Sequence, residues 1–216
     1  MPAPQRSQIL RGKARDAIAG LYPGYFAFVM ATGIISNALF LDQQRLLSEF
    51  LFALNVGAYC LLWILTGLRI LIARRALWAD MTSPKLVFAF FTTVAATDVL
   101  GVGVNLRGWS DVATAMWTFA LILWLGLIYF SFGVLTFLNT AHGANVVHGG
   151  WLIAIVGAES LVILGAAIAP NLGAYQQSVL VLVHMLWGVG LALYGIFVTL
   201  FAYRIFFFDL EPDDVS

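Results

Sequence analysis

Asp98 and Glu159 are the two carboxylates set deep inside long apolar stretches of this 216-residue chain. A charged side chain at the centre of a bilayer costs roughly 2.5–3.5 kcal/mol even on the most lenient insertion scale. Such a group therefore faces a wet path, or it sits neutral and hydrogen-bonded between helices. The chemistry open to it in the first case is proton exchange, which would couple the passage of a solute to that of a proton. In the second case the carboxyl is a cross-link. The residues alone leave both readings open.

Hydroxyls and glycines accompany the carboxylates. Thr93, Thr97 and Gly101 recur every four residues and share one helix face, with Thr92 and Ala96 alongside. Gly157, Ser160 and Leu164 share a face in a later stretch, and Thr32 and Gly33 lie midway along an earlier one. Hydroxyl dipoles and freed backbone N–H groups solvate an ion without trapping it, as conduction requires. The same residues also suit close helix packing, each hydroxyl bonded to the carbonyl one turn back. Asp98 lies about 100° around the helix from Thr97, which turns it toward a neighbouring helix and away from the hydroxyl stripe. His184 shares a face with Gly188, Ala192 and Gly195 and reads as a hydrogen-bonded histidine at a helix contact. His142 and His148, six residues apart without a nearby cysteine or carboxylate, make a poor metal site. Cys60, the single cysteine, reads as a small buried apolar residue.

The elements that position these groups follow from composition. Hydrophobic residues make up 62% of the chain and charged residues 10%, with mean hydropathy +0.93. A soluble domain carries about a quarter charged residues, so this is an integral membrane protein. Six apolar runs, at about 22–41, 50–72, 84–105, 112–138, 149–169 and 176–207, are each long enough to span a bilayer as a helix. They do not alternate as strands of an outer-membrane barrel would. Short connections at 42–49, 106–111 and 170–175 pair them into three helical hairpins. A basic arm at 1–20 precedes the transmembrane domain at 21–208, and an acidic tail at 209–216 follows it. Arg6, Arg11, Lys13, Arg15, Arg69, Arg74, Arg75, Lys85 and Arg204 fall on one side, against Arg45 and Arg107 on the other. That bias puts both termini in the cytoplasm, with the lipid bilayer as the chain's surroundings. Tyr22, Tyr25, Trp78, Trp109, Trp151, Tyr175 and Tyr203 sit near span ends, where interfacial aromatics belong. No basic cluster interleaved with aromatics indicates a nucleic-acid partner, and no motif indicates a cofactor.

The odd-numbered spans resemble one another. Phe26-Ala27-Phe28, Phe88-Ala89-Phe90 and Ile153-Ala154-Ile155 recur at offsets of 62 and 65 residues. This register groups Gly33, Ala95 and Ser160. Three parallel repeats about an axis along the membrane normal would place the odd spans inside and the more uniformly apolar even spans outside.

Three blocks carry a family signature: YPGYFAFVMATGIIS at 22–36, FFTTVAATDVLG at 90–101 and GGWLIAIVGAES at 149–160. Together they resemble the tellurite-resistance/dicarboxylate transporter family, whose relatives include yeast malate permeases and plant slow anion channels. The resemblance covers about 20–208. It implies a ring of helical hairpins around a pore, odd helices innermost, assembled as a trimer and passing small anions or C4-dicarboxylates. Members have ten helices, so the chain reads as the first six, with FDLEPDDVS at 208–216 resembling the lead into a seventh. The family's gating phenylalanine lies on the ninth helix, and no residue here inherits that role. Related sequences have neutral residues where Asp98 and Glu159 stand. Two ionised carboxylates would repel an anion, which favours proton-coupled over simple channel-like passage if they line the path. The alternatives are a truncated remnant or helical subunit that transports nothing, and an intramembrane hydrolase assembled from Asp98, Glu159 and His184. No nucleophile and base stand at a spacing that marks an enzyme.

Overall fold

The computed structural model describes residues 12, 13, 15–138 and 149–207. His142, His148 and the acidic tail lie outside them, as does most of the basic arm. Among the described residues from Ala27 onward the α-helices are α1 (Ala27–Leu41), α2 (Arg45–Ile72), α3 (Arg74–Met81), α4 (Phe91–Leu106), α5 (Ser110–Gly133), α6 (Ile153–Ile168) and α7 (Gln176–Phe207). No strand occurs among the described residues, and with the adjoining turns six of these helices are long and apolar enough to cross a membrane. Helices satisfy every backbone group within the segment, which hydrocarbon demands.

Each inner helix begins in the same way. The 3-10 turns Pro23–Phe26, Val87–Phe90 and Gly149–Leu152 run directly into α1, α4 and α6. Only the first is primed by proline, whose fixed φ and missing N–H suit a helix start. Ala27, Phe91 and Ile153 open the α-helical parts, giving repeat spacings of 64 and 62 residues in place of the 62 and 65 read from sequence. The layers become Gly33, Thr97 and Glu159, then Ile34, Asp98 and Ser160. The hairpins also reverse alike, each through one residue with positive φ: Gln43, Gly108 and Gly173.

Helices α1 and α2, α4 and α5, and α6 and α7 form the hairpins, and α4 packs between α1 and α6. This sandwiching buries 83% of the most apolar window of the third span, against 56% for the fifth and 6% for the second. The first span reaches only 22%, no more than the outer fourth and sixth, because α1 has an inner neighbour on one flank alone. Lipid is as apolar as leucine, so packing and hydrogen bonds hold the seams in place of a hydrophobic driving force. Phe88 is fully buried, with ring centroids of Phe91, Trp151 and Phe197 at 5.9, 5.2 and 5.6 Å.

Several local expectations change. The second span is helical from Arg45, so the first connection shortens to 42–44, and α3 occupies most of the 73–85 connection. Trp151 is buried and donates its indole N–H to the Pro84 carbonyl at 3.0 Å, so it is a core residue and not an interfacial one. Cys60 is exposed on α2, not buried, since α2 turns most of its surface outward. His184 is also exposed and bonds only its own turn, Nδ1 to Leu180 O at 2.7 Å, and neither Gly188 nor Gly195 has an atom within 4 Å of where a Cβ would stand. The glycine of α7 that packs is Gly190, which admits the Glu159 carboxyl.

Candidate functional site

Because the inner helices start alike, equal counts along them give equal depths. Thr32 is the sixth residue of α1, Thr97 and Asp98 the seventh and eighth of α4, and Glu159 and Ser160 the seventh and eighth of α6. They form a polar belt near the middle of the bundle. On the α1–α2 contact, Thr32 Oγ1 donates to Asn55 Oδ1 at 3.1 Å, and also to Phe28 O at 2.8 Å. On the α2–α4 contact, Tyr59 OH meets Thr97 Oγ1 at 2.9 Å. On the α4–α6 contact, Ser160 Oγ and Asp98 Oδ2 stand 2.7 Å apart. Thr97 and Asp98 thus serve opposite flanks of α4, as their angular separation requires.

The remaining members of the hydroxyl and glycine sets also lie at helix contacts. Thr92 donates to Pro23 O and Ala89 O, Thr93 to Phe90 O, and Thr97 to Thr93 O at 2.7 Å. Thr93 borders a narrow cleft with Pro23, Phe26, Thr66 and Arg69. A Cβ on Gly33 would stand 2.6 Å from Asn55 Nδ2 and 2.7 Å from Val99 Cγ1, and one on Gly101 would stand 2.5 Å from Leu164 Cδ2. Gly157 faces Phe91, whose ring carbon Cδ1 would lie 3.2 Å from such an atom. In this arrangement the Thr93–Thr97–Gly101 stripe is filled by Tyr59 and Leu164.

Glu159 is half-buried at the α6–α7 contact, its carboxyl against Gly190, and it does not meet Asp98. His184, exposed on α7, is likewise no part of the belt. The ion pairs among the described residues are Arg69–Asp80 at 2.6 Å and Arg107–Glu49 at 3.1 Å, both near span ends. Among the described residues no three His, Cys, Asp or Glu side chains come together to hold a metal.

Sequence reasoning missed Asn55 and Tyr59, which reach inward from the outer helix α2, and Asn37 and Asn105, which bridge the inner seams. Asparagine in an apolar span was the available signal, since it is costly there without a partner.

Repeated helical hairpins with a polar belt at mid-depth are a build that channels and transporters use. The chain matches the SLAC1 family, described as voltage-dependent anion channels, over residues 20–216, and it belongs to that family. This is the tellurite-resistance/dicarboxylate transporter family that the three sequence blocks resemble. It is also 28% identical over 203 residues to a protein of Methanocaldococcus jannaschii named an uncharacterized transporter. The aligned region covers 88% of this chain and 56% of that one, so the chain spans little more than half the length of this relative. No solved structure matches it. Six spans and this family together make it a multi-pass membrane protein.

Proposed function

We propose that the chain takes part in the passage of small anions across the cytoplasmic membrane, along a path lined by α1, α4 and α6, with C4-dicarboxylates as the candidate organic substrates. The observation that carries this reading is family membership over nearly the whole chain. Thr32, Gly33, Thr92, Thr93, Thr97, Gly101, Gly157 and Ser160 are the lining residues it assigns, and Asp98 and Glu159 its proton-coupling residues. The mid-depth belt supports it: hydroxyl and carboxyl groups on the inner helices, joined by an amide and a phenol from α2, are costly in hydrocarbon and of use to a solute crossing it. Since these groups now meet neighbouring helices, passage requires α4 to shift against at least one flank. Both termini lie on the cytoplasmic side in this reading, following the Lys/Arg bias, and the assembly is a trimer by family resemblance.

The test is flux from proteoliposomes containing the purified chain, driven separately by a voltage and by a pH gradient, with chloride and succinate as probes. Anion current that ignores pH supports a channel, and pH-driven succinate uptake supports proton-coupled transport. A folded chain that passes neither anion under either drive overturns the proposal.

A further inference from the structure

Two hydrogen-bond chains leave α4 at the same depth, and they differ by one proton. Thr97 Oγ1 stands 2.9 Å from Tyr59 OH and 2.7 Å from Thr93 O. Two hydroxyl protons serve those two contacts: Tyr59 donates to Thr97, and Thr97 donates to the carbonyl. On the other flank, Ser160 Oγ stands 2.7 Å from Asp98 Oδ2 and 2.9 Å from Gly157 O. A carboxylate and a carbonyl are both acceptors, and Ser160 brings a single proton. With Asp98 ionised, one of the two contacts has no hydrogen of its own.

The surroundings of Asp98 sharpen the count. The residue is 1% exposed, and its Oδ1 has no hydrogen-bond partner among the described residues. Neither of the described ion pairs involves it. From α2 the facing titratable group is Tyr59, whose hydroxyl is engaged by Thr97. From α6 it is Glu159, turned against Gly190 on α7. Helix α1 carries no titratable side chain, and α5 carries none between Val112 and Ile128. An ionised carboxylate with one oxygen unsatisfied and no cation beside it is among the least favourable arrangements a protein interior can hold.

We propose that Asp98 is a proton-binding site and that its proton latches the seam between α4 and α6. The carboxyl O–H donates to Ser160 Oγ, and Ser160 donates to Gly157 O, so each contact carries one hydrogen. Release of the proton to water leaves a carboxylate that must be hydrated. Water reaches it only when the seam parts, which separates Gly101 from Leu164 on one side of the pair and Phe91 from Gly157 on the other. The inference rests on the reading that the inner helices line the passage. It assigns coupling to Asp98 over Glu159, which is less buried and lies against Gly190 on α7, away from the α4–α6 seam.

Infrared spectroscopy of the purified chain in lipid at neutral pH tests this through the C=O stretch of a protonated carboxylic acid. The band is expected in the wild type, lost in Asp98→Asn, retained in Glu159→Gln, and moved to higher frequency in Ser160→Ala, where a hydrogen bond disappears. A wild type without the band, or a band unchanged in Asp98→Asn, overturns the latch. If Asp98→Asn does not fold, the Ser160→Ala spectrum decides, and a band that does not move there is equally fatal. Flux on the same samples separates the two readings. A band assigned to Asp98 in a chain that passes no anion removes the passage and leaves the proton site. Proton-driven uptake with the band assigned to Glu159 does the reverse.

Discussion

Asn105 on α4 donates through Nδ2 to the carbonyl oxygen of Ala167 on α6 at 3.1 Å, the same kind of bond that Asn37 on α1 makes to Val99 on α4 at 3.0 Å. Each inner seam is thus closed by one asparagine reaching a backbone carbonyl on the next inner helix. Replacing either by leucine is expected to destabilise the fold by about 0.5–1.5 kcal/mol, the usual net worth of a hydrogen bond. Asn105→Leu should cost more, because Asn105 Oδ1 also accepts from Ser110 Oγ at 2.9 Å. Unfolding midpoints in detergent measure both effects. As the two residues serve different seams, the double variant should be close to additive.

The spans and their pairing were legible because each run exceeds the length at which a soluble core helix is the alternative reading. The repeat was visible, but its register was not. Its structural marker is a backbone event, the change from 3-10 turn to α-helix after Phe26, Phe90 and Leu152. The turns read PGYF, VFAF and GGWL, with no residue common to all three. Aligning Phe-Ala-Phe with Ile-Ala-Ile matched side-chain size among apolar residues and slipped the copies by two or three positions. Helix α3 was missed because eight residues beginning with two arginines carry no spanning signal.

Gly33 separates packing by size from packing by chance. The atom that alanine adds there falls within contact distance of both Asn55 and Val99, one on the outer and one on the inner neighbour. Gly33→Ala is therefore expected to cost about 1–3 kcal/mol, as overpacking does. At Gly188 nothing lies within 4 Å of the added atom, and Gly188→Ala should stabilise α7 by up to about 1 kcal/mol through helix propensity. Thermal midpoints moving in opposite directions support the packing described here, and a shared direction contradicts it.

The candidate site was half legible. Asp98, Ser160 and the threonines stood out as polar residues in apolar runs, and the angle between Thr97 and Asp98 already sent them to different neighbours. The identity of those neighbours depends on which helices flank α4, and no pattern within one span carries that. Asn55 and Tyr59 lie one turn apart on a helix that turns most of its surface outward, so the even-numbered spans read as lipid-facing throughout.

Arg69 ties the end of α2 to two other segments. Its Nη2 donates to Asp80 Oδ2 at 2.6 Å on α3 and to Ala19 O at 2.8 Å, while Nε reaches the same carbonyl at 3.2 Å. The guanidinium holds the Ala19 carbonyl through two nitrogens while one of them also meets Asp80, a grip that a single ammonium nitrogen does not reproduce, so lysine is not a conservative replacement. Arg69→Lys and Arg69→Met should both raise amide hydrogen exchange around residues 15–20 while leaving α4 protected. Unchanged exchange there would mean that the arm is held by other contacts. The stability loss should be modest, because Asp80 is partly exposed and water can take over its charge.

Thr97 offers the sharpest discrimination between a lining residue and a packing residue. Valine preserves its shape and removes the hydroxyl that Tyr59 and the Thr93 carbonyl share. If the hydroxyl contributes to solvating an anion at mid-depth, losing it removes about 1–1.5 kcal/mol of stabilisation, and a loss of that size slows passage roughly tenfold. Tyr59→Phe removes the same contact between α2 and α4 and leaves the Thr97 hydroxyl in place. It should therefore match Thr97→Val in stability and exceed it in flux. Thr118→Val, on the exposed face of α5 where the hydroxyl bonds only its own helix, should change neither. Equal flux in Thr97→Val and Tyr59→Phe, at equal stability, would assign Thr97 to packing alone.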